Sequence, residues 1–130
     1  MTEKLQVKRW IEEMLPDVDQ RGLVMLTGAR QTGKTTSTRR LYGDLPYFNL
    51  DAVEYREQLD AVSSFSWADT VGHAILDEVQ KAPELLDKVK FAYDEGDLSF
   101  SALLGSAQIL LLKRIKETLA GRVFVYELFP

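Results

Sequence analysis

Cysteine is absent from the 130 residues, which excludes disulfides, thiolate metal sites and a cysteine nucleophile. There is one histidine, His73, so no multi-histidine metal site is available within the chain. No long apolar run is present. The longest uncharged stretch, residues 98–112, is too short to span a bilayer and is interrupted by Gly105, Ser106 and Gln108. The opening Met1-Thr2-Glu3-Lys4 lacks a signal-peptide core, so a cytoplasmic address without a membrane is the expectation. No linker rich in glycine, serine or proline divides the sequence, and no repeat or low-complexity tract appears. Excess positive charge is missing too. With 16 basic and 20 acidic side chains the net charge is -4, which argues against a surface built wholly for nucleic acid. What is present is ordinary: 45% hydrophobic and 28% charged residues, enough for one domain with its own core.

The apolar residues are patterned. Val7, Trp10, Ile11, Met14 and Leu15 recur at spacings of three and four, which predicts an N-terminal helix over about 3–15, ended by Pro16. Leu23-Val24-Met25-Leu26 reads as a buried strand that runs into a glycine-rich loop. A helix fits residues 36–42, with Gly43 as its stop. Residues 47–50 form a second strand candidate, 53–59 are weakly helical, and 63–69 read as loop. An apolar run over 71–76 ends in two acids. Leu85, Leu86, Val89 and Tyr93 share one helical face, with Pro83 suited to the first turn and Gly96 to the stop. A fourth strand is predicted over 98–104, a helix over 109–119 capped by Gly121, and a fifth strand over 123–128. Short apolar strands alternating with helices imply an α/β fold with a parallel sheet covered on both faces. Such sheets bind ligands at the carboxyl ends of their strands. The two strongest polar clusters, at Gly28 and at Asp77, fall there.

Gly28-Ala29-Arg30-Gln31-Thr32-Gly33-Lys34-Thr35 has the spacing of a phosphate-binding loop: glycine, four residues, glycine, lysine, threonine. Glycine permits a tight turn whose successive N–H groups point at phosphate oxygens, and the next helix adds its positive end. Lys34 brings a full charge to the β- and γ-phosphates, and the Thr35 hydroxyl is a hard ligand for Mg²⁺. Thr36 follows in the same helical turn. The alternative is a glycine-containing turn with a solvated lysine.

His73-Ala74-Ile75-Leu76-Asp77-Glu78 runs apolar residues into adjacent acids. Successive strand residues point in opposite directions, so Asp77 is expected to face the metal while Glu78 faces a water attacking the γ-phosphate. Two solvated carboxylates at a strand end are the alternative. Ser106, after the fourth strand, suits a hydroxyl that reaches the γ-phosphate or the water, and suits equally a helix N-cap before Ile109. Arg122 suits either a charge presented to a neighbouring subunit's nucleotide or a surface arginine.

These stretches resemble a family of prokaryotic AAA-type P-loop ATPases. The resemblance is carried by residues 26–36, by Phe48-Asn49-Leu50-Asp51, by Leu76-Asp77-Glu78-Val79-Gln80-Lys81-Ala82-Pro83, by Leu104-Gly105-Ser106 and by Leu119-Ala120-Gly121-Arg122. It implies a five-stranded, mostly parallel sheet between helices, with the strand after the phosphate loop at an edge and another strand lying between. It implies ATP and Mg²⁺ as cofactors, Ser106 at the sensor position, and Arg122 at a place compatible with an arginine finger in a homo-oligomer. Thr32 stands where the family usually has an aliphatic residue. Members of the family continue past Leu128-Phe129-Pro130 into a helical lid and a C-terminal domain. Residues 1–130 are therefore expected to be a nucleotide-binding core, either a fragment or a natural short form.

Three functions compete. An Mg²⁺-dependent ATPase uses Lys34, Thr35, Asp77 and Glu78. A nucleotide-binding switch or interaction module uses the same groups with little turnover. A DNA-associated motor fragment would use Arg39 and Arg40, or Lys113, Arg114 and Lys116, although solvated helix faces explain these clusters as well. A GTPase fits less well, since no Asn/Thr-Lys-X-Asp motif for guanine is present. A small-molecule kinase also fits less well, because Glu78 beside Asp77 suggests an activated water.

Overall fold

The computed structural model describes residues 21–28, 34–106 and 108–128. The predicted helix over 3–15 lies outside them. Five strands form one sheet: β1 (Gly22–Gly28), β2 (Tyr47–Asn49), β3 (Ile75–Asp77), β4 (Phe100–Gly105) and β5 (Val123–Leu128). Their order is β2-β3-β4-β1-β5, and every pairing is parallel. The edge position of β2, and the insertion of β4 between β3 and β1, are as the resemblance implies.

The sheet is buried on both faces because its strands alternate apolar residues on each side. Leu23, Met25, Leu76 and Leu103 face one layer. Four helices contribute to it: α2 (Val53–Asp60), α3 (Trp67–Thr70), α4 (Leu85–Asp94) and α5 (Ile109–Thr118), through Leu59, Trp67, Leu85, Leu86, Val89, Leu111 and Ile115. Val24, Leu26, Ile75, Ala102 and Leu104 face the other layer, with Phe100 and Tyr42 packed 4.9 Å apart between ring centres. Tyr42 directly follows α1 (Lys34–Leu41). The helix after the phosphate loop thus packs on one face, and the later helices on the other.

Three expectations needed revision. Residues 63–69 are not a loop. A 3₁₀ turn over Ser64–Ser66 leads into α3, and Ser63 Oγ accepts the Ser66 N–H at 3.2 Å. Four residues are too few to show a helical period, and the fully buried Trp67 anchors them through tertiary packing. The run over 71–76 is strand only from Ile75, because Val71 and Gly72 complete the end of α3, with Gly72 at φ 66°. Pro83 precedes α4, whose N-cap is Glu84, and is not part of its first turn.

Lys88 of α4 has a role that its sequence context does not announce. Its Nζ donates to the carbonyls of Asp60 at 2.6 Å, Val62 at 2.7 Å and Leu59 at 3.4 Å. These lie at the end of α2, where helix carbonyls lack partners and negative partial charge collects. The Lys88→Met variant keeps the stem and removes the donors. Urea unfolding should show a loss of about 2 kcal/mol.

Candidate active site

The sheet order brings three strand ends together. Strands β3, β4 and β1 are neighbours, with Leu76 level with Leu103 and Thr27 level with Gly105. Gly28, Asp77 with Glu78, and Ser106 therefore lie side by side at the carboxyl edge. A cleft of about 420 Å³ opens there, lined by Gly28, Glu78, Gln80, Ser106 and Gln108, and also by Asp51 and Lys81.

Asp77 is the hub of the site. It is buried and, among the described residues, accepts three hydrogen bonds. Thr35 Oγ1, in the first turn of α1, donates to its Oδ2 at 3.0 Å, across 42 residues of sequence. The Tyr47 hydroxyl donates to the same oxygen. The Glu78 N–H donates to Oδ1 at 2.8 Å. A hydroxyl and a carboxylate held this close form a hard-oxygen donor pair. Such a pair suits Mg²⁺ arriving with substrate phosphates better than it suits a cation caged by protein alone.

Tyr47 was not foreseen as part of the site. Its ring carries the Arg39 guanidinium at 4.6 Å. Its phenol is pushed above the usual tyrosine range, first by burial and then by the hydrogen bond to Asp77, so it stays a donor at neutral pH. On the expectation that Thr35 and Asp77 hold Mg²⁺, Tyr47 is a partner that orients a metal ligand, and such partners typically alter metal affinity 10- to 100-fold. In Tyr47→Phe, the Mg²⁺ concentration that half-saturates ATP binding should rise by about tenfold, as read by calorimetry at a series of Mg²⁺ levels.

Glu78 departs from the strand alternation expected for it. Its backbone is left-handed, at φ 56° and ψ 46°, and it is the one non-glycine residue with positive φ among the described residues. The strand ends at Asp77 because the Asp77 carboxylate takes the Glu78 N–H out of the ladder. The Glu78 side chain accepts from Gln80 Nε2 at 2.5 Å.

Ser106 does not cap α5. The N-cap is Gln108, with no side-chain cap bond. The Ser106 hydroxyl is buried and finds no partner among the described residues, which leaves it available to a ligand. Thr36 is exposed on α1. Ala29, Arg30, Gln31, Thr32 and Gly33, and the Lys34 side chain, lie outside the described residues. Gly28 is the buried last residue of β1 and lines the cleft.

Arg122 sits at the opposite edge of the sheet. It precedes Val123, which is level with Leu23, whereas Leu128 is level with Gly28. At about 3.3 Å per strand residue, this places it about 20 Å along the sheet from the level of Gly28 of its own chain. Its Nε and Nη2 hold Asp94 at 2.6 and 3.1 Å, and Nη1 donates to the Ala120 carbonyl at 2.7 Å. The guanidinium beside Asp94 holds that carboxyl below its usual range.

The sequence of the AAA domain family matches residues 20–130. Uncharacterized proteins of Mycobacterium tuberculosis and Mycobacterium bovis are each 34% identical over 110 residues, covering 82% of this chain and 24% of theirs. The chain thus spans about a quarter of the length of these relatives. Among solved structures, Saccharomyces cerevisiae RIF2 superposes with a TM-score of 0.55 at 13% identity, covering 99% of this chain and 59% of that one. That likeness is one of fold. No helix among the described residues is long and apolar enough to cross a membrane.

Proposed function

The chain belongs to the AAA domain family of P-loop nucleotide-binding proteins, and from that premise we propose that it binds ATP with Mg²⁺ and hydrolyses the terminal phosphate. The observation that carries the reading is the Thr35–Asp77 hydrogen bond at 3.0 Å, which joins the phosphate-loop helix to the acidic end of β3. In this reading the amides of residues 28–35 and the Lys34 ammonium hold the β- and γ-phosphates. Thr35 and Asp77 would hold Mg²⁺, which when bound neutralises charge on the phosphate oxygens. Glu78 takes a proton from the attacking water as the water oxygen bonds to the γ-phosphorus. The bond from that phosphorus to the β–γ bridging oxygen breaks, giving ADP and inorganic phosphate. The unpartnered Ser106 hydroxyl donates to a γ-phosphate oxygen.

A nucleotide switch with little turnover uses every one of these contacts except the Glu78 step. Of the residues a DNA-associated motor would use, Arg39 of the first basic cluster stacks on Tyr47 beside Asp77. Arg122 has no part at its own chain's site, since it lies at the far sheet edge in a two-point pair with Asp94.

The test is a titration of Mg²⁺-ATP into the chain, with binding and phosphate release measured in the same samples beside Lys34→Ala. Saturable binding with release well above that control is expected. Tight binding with release at the control level would replace the ATPase by the switch. Competition with GTP reads the base preference, for which adenine is proposed from the family alone.

A further inference from the structure

We propose that Gln80 is a positioning residue for this reaction: its amide ties the Glu78 carboxylate to the loop that carries Ser106, so one side chain holds both the base and the reader of the terminal phosphate. The inference rests on the ATPase reading of the site.

Three observations meet at Gln80. It lies in the one-turn 3₁₀ helix Val79–Lys81, directly after the acidic pair. Its Nε2 donates to Glu78 Oε2 at 2.5 Å, and its Oε1 accepts the Ser106 N–H at 3.4 Å. A carboxamide carries a donor and an acceptor on one rigid end, and this bridge uses both. A glutamate there would accept from Ser106 but repel Glu78. The last residue of β4 is glycine, and a Cβ on Gly105 would come within 2.9 Å of Gln80 Oε1. The strand end is thus shaped to admit the amide oxygen.

Glu78 needs such support. A non-glycine residue in the left-handed region persists only where its surroundings hold it. Its N–H is fixed by Asp77, and its carboxylate by Gln80. With Oε2 engaged, Oε1 is left to take a proton from water. Two hydrogen bonds then connect Glu78 to the Ser106 backbone, whose own hydroxyl is buried and unpartnered.

The test compares Gln80→Leu and Gln80→Glu, which both lack the N–H donor, with the parent chain. Turnover at saturating Mg²⁺-ATP should fall by at least about tenfold, as expected when a reacting group is misplaced. The dissociation constant for Mg²⁺-ATP should stay within about threefold. Parent-level turnover in both variants, or a loss confined to binding, would overturn the proposal. A second readout needs no nucleotide. In the ligand-free chain, Glu78→Gln should shift the Ser106 amide resonance, and the shift should vanish when the same substitution is made in the Gln80→Leu background. A shift of equal size in that background would also overturn the tie. If the parent hydrolyses no ATP, the ATPase reading falls by itself, and the resonance comparison still decides whether Gln80 joins Glu78 to Ser106.

Discussion

Phosphate release from ATP should fall at least about a hundredfold in Glu78→Gln, with ATP binding nearly unchanged. A positioned general base is typically worth 10²- to 10⁴-fold in rate. The substitution keeps the shape of the side chain and an oxygen for Gln80 Nε2, and removes only the capacity to take a proton. Glu78 lines the cleft and its carboxylate is hydrogen-bonded to Gln80, whereas the Thr35 hydroxyl donates to Asp77, so nucleotide affinity has little reason to change. The measurement is single-turnover phosphate release beside calorimetric ATP binding. A variant that releases phosphate at the parent's rate removes Glu78 from the base position.

Asp77→Asn should uncouple ATP binding from Mg²⁺. In the parent, adding Mg²⁺ should tighten ATP binding. In the variant the gain should shrink by at least about tenfold, the scale on which a perturbed metal site responds. The carboxylate is buried and accepts the Thr35 hydroxyl at 3.0 Å. Asparagine preserves its volume and an oxygen for the Glu78 N–H. It removes the negative charge, and one of its two ends cannot accept from the Thr35 and Tyr47 hydroxyls. Calorimetry with and without Mg²⁺ reads the coupling. An undiminished Mg²⁺ response would place the cation elsewhere.

The parts of this fold that were legible in the sequence are those set by short-range pattern. Apolar runs of strand length, glycine stops and threefold-to-fourfold spacings gave four of the five strand positions nearly as observed, and the helices α1, α2, α4 and α5. The phosphate loop and the Asp77-Glu78 pair are local strings whose chemistry follows from residue type and spacing. Long-range features were not legible. Tyr47 reaches Asp77 across 30 residues, and Lys88 caps α2 from 26 to 29 residues away. No periodicity encodes either contact. Trp67 sits in a helix too short to show a period. The alternation argument for Glu78 failed for a different reason. It assumed that the strand continued, whereas the Asp77 side chain captures the next N–H and turns the backbone left-handed. Gln80 was legible only as part of a motif, and its bridge to Ser106 depends on β4 lying beside β3.

The central claim is that a metal-bound triphosphate lies between the phosphate loop and the end of β3. Mn²⁺ takes the same oxygen ligands as Mg²⁺ and broadens nearby resonances. The decisive measurement is a titration of trace Mn²⁺ into the isotopically labelled chain, with and without ATP. The amides of Thr35, Asp77 and Glu78 should broaden first, only when ATP is present, and not in Lys34→Ala. Broadening centred on any other part of the chain, or the same broadening without ATP, would contradict the account.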